Sequence, residues 1–148
     1  MTLTKSTVNK NSSTSDSGGI LVERTNISAT LYRSQVLDNS AGTDGGGIYN
    51  QGKTELREDS VVSGNIAGNF GSGIYNDSIG PGNLTLRDST VKHNTAYTDG
   101  GGIYSLGVVT LHHFEVRDNH PNNCAPVPIP GCQQQPWPGW PPADPLQY

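Results

Sequence analysis

The chain has 148 residues, 19 of them Gly and 10 Pro, and a formal net charge of −4, so it is long enough for one domain but not comfortably for two. Leu, Ile, Val and Phe make up only about a fifth of it, which is near the lower limit for a chain that folds. It contains no run of about 18 apolar residues that could cross a membrane, and its nine Lys and Arg residues form no basic cluster, which argues against nucleic acid as the main partner.

A pattern of Leu, Val and Asn occurs five times between residues 3 and 119. In each copy the Val follows the Leu by five residues, or by six in the third copy, and the Asn follows the Val by three. Nine residues after each of the first four Asn residues comes an Ile that directly follows a Gly. The five Asn residues are Asn11, Asn39, Asn65, Asn94 and Asn119, and the four Ile residues are Ile20, Ile48, Ile74 and Ile103.

This periodicity predicts an all-β fold. Copies that recur every 25–29 residues, with a composition typical of strands and turns, indicate one turn of a β-solenoid per copy. We therefore predict a right-handed, single-stranded parallel β-helix of about five coils over residues 1–120, with strands stacked about 4.8 Å apart. Residues 121–148 are predicted to form a Pro-rich, Cys-containing C-terminal cap or tail.

Three rows of side chains are candidate sites. The five Asn residues would superpose into a structural ladder of amide hydrogen bonds. Three Asp residues, each four residues before an Ile, either favour the turn before Gly or form a row that could bind Ca²⁺; no other cofactor is expected. Three Tyr residues, each directly after an Ile, should face outward and stack, either to stabilise the strands or as a candidate binding face for sugar rings or a partner. The rows are Asp16, Asp44 and Asp99, and Tyr49, Tyr75 and Tyr104.

The C-terminal segment is different in composition. Nine of the ten prolines follow Asn119, a density that is incompatible with ladder strands. Cys124 and Cys132 are the only cysteines. We predict a disulfide between them, which would indicate an oxidising compartment; the alternative is two free thiols. Trp137, Trp140 and Tyr148 are predicted to fold back over the last coil or to dock on a neighbour.

The motifs resemble those of bacterial right-handed parallel β-helix repeat proteins, over about residues 2–120. They are similar to the polymorphic outer-membrane protein repeats of chlamydiae, whose signatures are GGA(I/L/V) and FxxN. In this chain Val36–Asn39 and Val91–Asn94 correspond to FxxN with Val in place of Phe, and Gly46-Gly47-Ile48 corresponds to the glycine motif. The resemblance implies secreted or cell-surface modules, often adhesive.

Together these features predict a non-enzymatic extracellular or cell-surface β-solenoid with a structural or adhesive role. The first copy begins at Leu3 without a polar or helical segment before it. Because an open solenoid end exposes unpaired backbone, we expect self-association through the solenoid ends or the tail, such as head-to-tail stacking into filaments. Surface glycans or a host surface are the other expected partners.

The alternative function is a module that binds or degrades polysaccharides. A glycosidase needs two carboxylates about 5–10 Å apart across a cleft. The outward acids of this chain, among them Asp88 and Asp118, occupy repeat-equivalent or scattered positions. A catalytic site normally interrupts a repeat, so we expect no enzymatic activity.

Overall fold

The computed structural model describes residues 1–24, 26–80, 82–126 and 128–134. Within these residues the secondary structure consists of 17 β-strands and no helix, and all strand pairs are parallel. The predicted Trp137, Trp140 and Tyr148 contacts lie outside the described residues.

The strands form three sheets that run along the solenoid. The first sheet contains two rows of short strands that merge into single ten-residue strands in the last two turns. Its members are β1 (Thr2–Thr4), β2 (Thr7–Asn9), β5 (Ser28–Tyr32), β6 (Gln35–Leu37), β9 (Lys53–Arg57), β10 (Ser60–Ser63), β13 (Asn83–Lys92) and β16 (Val108–Arg117).

The second and third sheets are narrower. The second contains β3 (Ser12–Ser13), β7 (Ser40–Ala41), β11 (Ile66–Ala67) and β14 (Thr95–Ala96). The third contains β4 (Ile20–Val22), β8 (Ile48–Asn50), β12 (Ile74–Asn76), β15 (Ile103–Ser105) and β17 (Cys124–Ala125). Each full turn therefore passes once through every sheet.

Like residues are superposed from turn to turn, as the repeat predicts. Leu31 pairs with Leu3 on one side and with Leu56 on the other, and the Val and Ile rows are in register in the same way. The extra residue of the third copy is absorbed at Glu58–Asp59, where both residues have positive φ. An all-β parallel solenoid with an inward Leu, Val and Ile core is thus confirmed.

The structure has about four turns, one fewer than the sequence predicts. The fifth copy contributes β16 and β17 but no strand of the second sheet, where only a single bridge joins Thr95 to His120. Pro121 follows at once and has no N–H with which to extend that ladder. Cys124 then pairs with Ile103, so the third sheet continues to Ala125.

A short C-terminal cap, residues 122–126 and 128–134, covers the end of this last turn. Ile129 is buried and packs in the hydrophobic core, and Cys132 packs against the core. Asn123 is 1% exposed, and its side chain accepts hydrogen bonds from the backbone and side chain of Asn119. The cap therefore supplies both apolar and polar contacts that a further turn would otherwise make.

Candidate functional site

The Asn row forms a continuous hydrogen-bonded ladder along one corner of the solenoid. In each step the backbone N–H and the Nδ2 of one Asn donate to the Oδ1 of the Asn in the next turn, at 2.9–3.1 Å. From the second turn onward each Nδ2 also donates to the carbonyl of the Val in the preceding turn, such as Val36 for Asn65. The side-chain amides of this row are therefore engaged in hydrogen bonds that hold the turns together. The ladder joins Asn11, Asn39, Asn65, Asn94 and Asn119 and ends on Asn123.

Two further polar rows were missed in the sequence analysis. The first contains serines two residues before each Val, where the Oγ of Ser34 accepts from the N–H of Ser6 and that of Ser60 accepts from the N–H of Ser34. Four of five copies carry this Ser, so the signal was present. In the second row Asn50 donates to Asn76 at 2.7 Å, and Asn76 donates to the Oγ of Ser105 at 2.9 Å. This row starts at the apolar Val22, which conceals it in the sequence.

The Tyr row stacks on the outer side of the third sheet. Ring centroids are 4.9 Å apart between Tyr49 and Tyr75 and 5.5 Å apart between Tyr75 and Tyr104. However, Tyr49 and Tyr75 are only 8% and 9% exposed. Two of the three rings are therefore covered, and Tyr104 is half-buried, which favours the strand-stabilising alternative for this row over an open binding face.

The flanking loops cover the Tyr stack. Gly45, Gly71 and Gly100 approach the three Tyr residues so closely that an added Cβ would lie 2.7–2.8 Å from the Tyr Cβ. On the phenol side, the hydroxyl of Tyr49 donates to Asp77 Oδ2 at 3.0 Å. The three Gly residues are equivalent positions of the repeat, each four residues before its Tyr, whereas Asp77 lies in the segment whose length varies between turns.

Burial also changes the acidity of the phenols. It raises the pKa of Tyr75 to about 12, with smaller contributions from the carboxylates of Asp44 and Asp77. Burial, followed by the hydrogen bond to Asp77, raises the pKa of Tyr49 further. Both phenols are neutral at ordinary pH and stack on each other, and Tyr49 also donates a hydrogen bond.

Two carboxylates of the Asp row accept hydrogen bonds from the loop of the next turn, and the third accepts one from its own loop. Asp16 accepts from the hydroxyl of Thr43, Asp44 from the N–H of Phe70 at 3.0 Å, and Asp99 from the N–H of Gly100 at 2.9 Å. Burial raises the pKa of Asp44, partly offset by the Phe70 hydrogen bond. Across the described residues, no three His, Cys, Asp or Glu side chains are grouped so that they could hold a metal ion.

The predicted disulfide between Cys124 and Cys132 is present and closes the C-terminal cap. Cys124 is 1% exposed and occupies the core position that Ile fills in the earlier turns. Beyond the bond, Gln134 Oε1 accepts from the N–H of Asn123 at 3.1 Å, and its Nε2 donates to the carbonyl of Cys124. The bond therefore ties the cap to the third sheet.

Several outward acids of the first sheet are paired with arginines. Arg33 pairs with Glu58 at 3.0 Å, and Arg117 pairs with Glu115 at 3.2 Å and with Asp118. All five of these side chains are at least 40% exposed. Such exposed ion pairs contribute little stability.

The comparisons agree with this architecture. Residues 34–51 and 88–106 match the family model described as the Chlamydia polymorphic membrane protein (Chlamydia_PMP) repeat. Both segments run from the second half of the first sheet through the second and third sheets. No curated protein and no solved structure gives a match. The chain is a β-helix repeat protein that resembles this repeat, and among its described residues no helix is suited to crossing a membrane.

Proposed function

We propose that the chain is a non-catalytic structural module of a bacterial cell surface. The observation that carries this proposal is the match of two of its turns to a repeat of polymorphic membrane proteins. The parallel solenoid supports it, because stacked turns give a rigid, extended scaffold with a repeating outer surface. The matched family is named for a membrane, which favours the outer membrane or cell surface as the location.

The surface location can be tested on intact cells of the source organism. We expect externally added protease to degrade the protein while a cytoplasmic marker protein remains intact. Antibody labelling of unpermeabilised cells should give the same result. Complete protection of the protein until the cells are lysed would contradict the proposal.

The proposal that the chain is non-catalytic is supported by the interactions that its polar side chains make. The inward Asn and Ser residues form ladders, and outward acids form exposed ion pairs. No cofactor is included in the proposal. A panel of acidic and neutral polysaccharides should show no cleavage by the purified protein; cleavage that a single Asp or Glu substitution abolishes would establish the enzymatic alternative.

An adhesive role would use the outer side of the first sheet and not the covered Tyr stack. Arg87 and His112 are both exposed and are register partners on the two longest strands. We propose this pair as the contact point for surface glycans or a host surface. Binding to a glycan array or to cultured cells should weaken in the Arg87→Ala/His112→Ala variant, whereas Lys53→Ala on the same sheet serves as control. Equal binding by both variants would contradict this site.

Head-to-tail filament assembly stays a prediction, and the cap bears on it. At the C-terminal end Asn123 already takes the ladder position next to Asn119, and Ile129 packs on the core. A second copy could add in register only if this cap moved away. If filaments form, light scattering should therefore detect them mainly after the Cys124–Cys132 bond that closes the cap is reduced.

A further inference from the structure

A polar surface lies on the outer side of the first sheet, in the first halves of β13 and β16. Leu84 and Leu86 are buried in the core, and Val109 and Leu111 pack against it, so the residues that alternate with them face outward. The two strands pair in register over this stretch, which places each outward residue about 4.8 Å from its partner in the next turn. We call six outward residues the polar face: Asn83, Thr85, Arg87, Val108, Thr110 and His112.

The side chains of the polar face are free to bind a ligand. Five of the six carry polar groups, and none of those groups forms a hydrogen bond or ion pair with another residue that the structure describes. Asn83 and Arg87 accept bonds only at their backbone carbonyls, from the side chains of Asn50 and Ser89. Four members of the face are exposed and two are half-buried. Solvent therefore reaches both turns of the face.

The preceding turn of the same sheet is different, because its charges are paired. Glu55, the register partner of Thr85, forms an ion pair with Arg57 at 2.5 Å. The polar face contains no carboxylate, and Asp88, which follows Arg87, lies with Oδ1 3.5 Å from Nδ1 of His113. Arg87 thus gives the face a positive charge on a chain whose net charge is −4.

This combination of groups fits a sugar polymer that carries acidic groups. The guanidinium of Arg87 has a planar fork of donors that matches a carboxylate or sulfate group. The hydroxyls of Thr85 and Thr110 can donate to and accept from sugar hydroxyls, and the ring of His112 adds a donor and an acceptor. A duplex nucleic acid, by contrast, is bound through several cations at once.

We propose that the polar face binds an anionic polysaccharide. Arg87 contacts a carboxylate or sulfate group of the polymer, and Thr85 and Thr110 contact hydroxyls of the neighbouring sugar. This inference rests on the adhesive site proposed above and adds the chemical class of its ligand.

Binding of the full-length protein to three polymers tests the inference. Polygalacturonate supplies carboxylates, dextran sulfate supplies sulfates, and dextran is the uncharged match of dextran sulfate. Titration calorimetry should show binding to at least one charged polymer, at least about tenfold tighter than to dextran. The affinity should fall when the NaCl concentration rises from about 50 mM to about 500 mM. Binding to one charged polymer alone would identify carboxylate or sulfate as the recognised group.

Three variants locate the site on the polar face. Arg87→Ala should weaken binding about tenfold or more, and Arg87→Lys should weaken it less, because it keeps the charge but loses the fork. Lys53→Ala removes an exposed charge from the same sheet and should change the affinity less than about twofold. Far-UV circular dichroism checks that each variant is folded.

Four results would overturn the inference. Equal binding to dextran and dextran sulfate would remove the anionic class but leave the adhesive site in place. Binding to duplex DNA as tight as to the charged polysaccharides would show a general attraction to polyanions. An equal loss in Lys53→Ala and Arg87→Ala would place the contact elsewhere. Absence of binding to both charged polymers would exclude the proposed ligand class, and the cell-binding assay would then decide separately on the adhesive site.

Discussion

Replacing Asn65 by Ala removes the central member of the Asn ladder. Asn65 and its neighbour Asn39 are 0% and 1% exposed. The Oδ1 of Asn65 accepts from both the N–H and the Nδ2 of Asn39, each at 3.0 Å. The substitution leaves these two buried donors without that acceptor, and an unsatisfied buried donor costs about 1–3 kcal/mol. We expect the free energy of unfolding to fall by about 4 kcal/mol, within the range of about 2–6 kcal/mol that two donors give.

The first Asn of the row provides the matched control. Asn11 is exposed, and its Nδ2 donates to Asn39 Oδ1 at 2.9 Å. Asn11→Ala should cost only about 0.5–1.5 kcal/mol, the usual value of one hydrogen bond. Urea-induced unfolding followed by far-UV circular dichroism measures both variants. A loss below about 1 kcal/mol for Asn65→Ala, or equal losses at the two positions, would refute the view that the ladder stabilises the turns through buried donors.

Four other predictions concern the turns and the cap. Gly47→Ala should strongly destabilise the fold in urea unfolding, because its Cβ would lie 2.6 Å from the carbonyl oxygen of Gly73; a neutral result would contradict this close packing. Lys10 has φ of 54°, so Lys10→Gly should raise the free energy of unfolding by about 0.5–1 kcal/mol, whereas Lys53→Gly in β9 should lower it. Because the pKa of Tyr75 is raised to about 12 and an unfolded Tyr titrates near 10, this Tyr's contribution to stability should be complete below about pH 10 and lost between about pH 10 and 12; a pH-independent stability over that window would count against it. Replacing both cysteines by Ser should lower the free energy of unfolding by about 2.5 kcal/mol for the eight-residue loop, and an unchanged value would mean that Gln134 and Ile129 hold the cap unaided.

The register of the solenoid was predictable because it is repeated in the sequence. A parallel ladder places each residue on its equivalent in the next turn, so the spacing of Leu, Val, Asn and Ile alone decides which side chains meet. The pairing of Leu31 with Leu56 and the Asn39–Asn65 bond follow from that spacing. The disulfide was predictable for a different reason, since the chain holds just two cysteines.

The end of the solenoid was harder to predict because the spacing changes there. Cys124 takes the place of the core Ile only five residues after Asn119, whereas the earlier turns need nine. Because this loop is shorter, the sequence spacing does not reveal that Cys124 is equivalent to the core Ile of the earlier turns. Asn123 was missed as the last acceptor of the ladder for the same reason, because its role depends on how the cap folds back.

The order of the strands, the inward core and the stacked polar rows were determined by the sequence itself, because repeated spacing is a property of the chain. Tertiary structure decided which outward residues stay in contact with solvent. Tyr49 and Tyr75 face away from the core as their position requires, yet the Gly-rich loops beside them cover the rings. Periodicity states which side of a strand a residue occupies, but its exposure depends on how closely the neighbouring loops pack against that side, which only the tertiary structure decides.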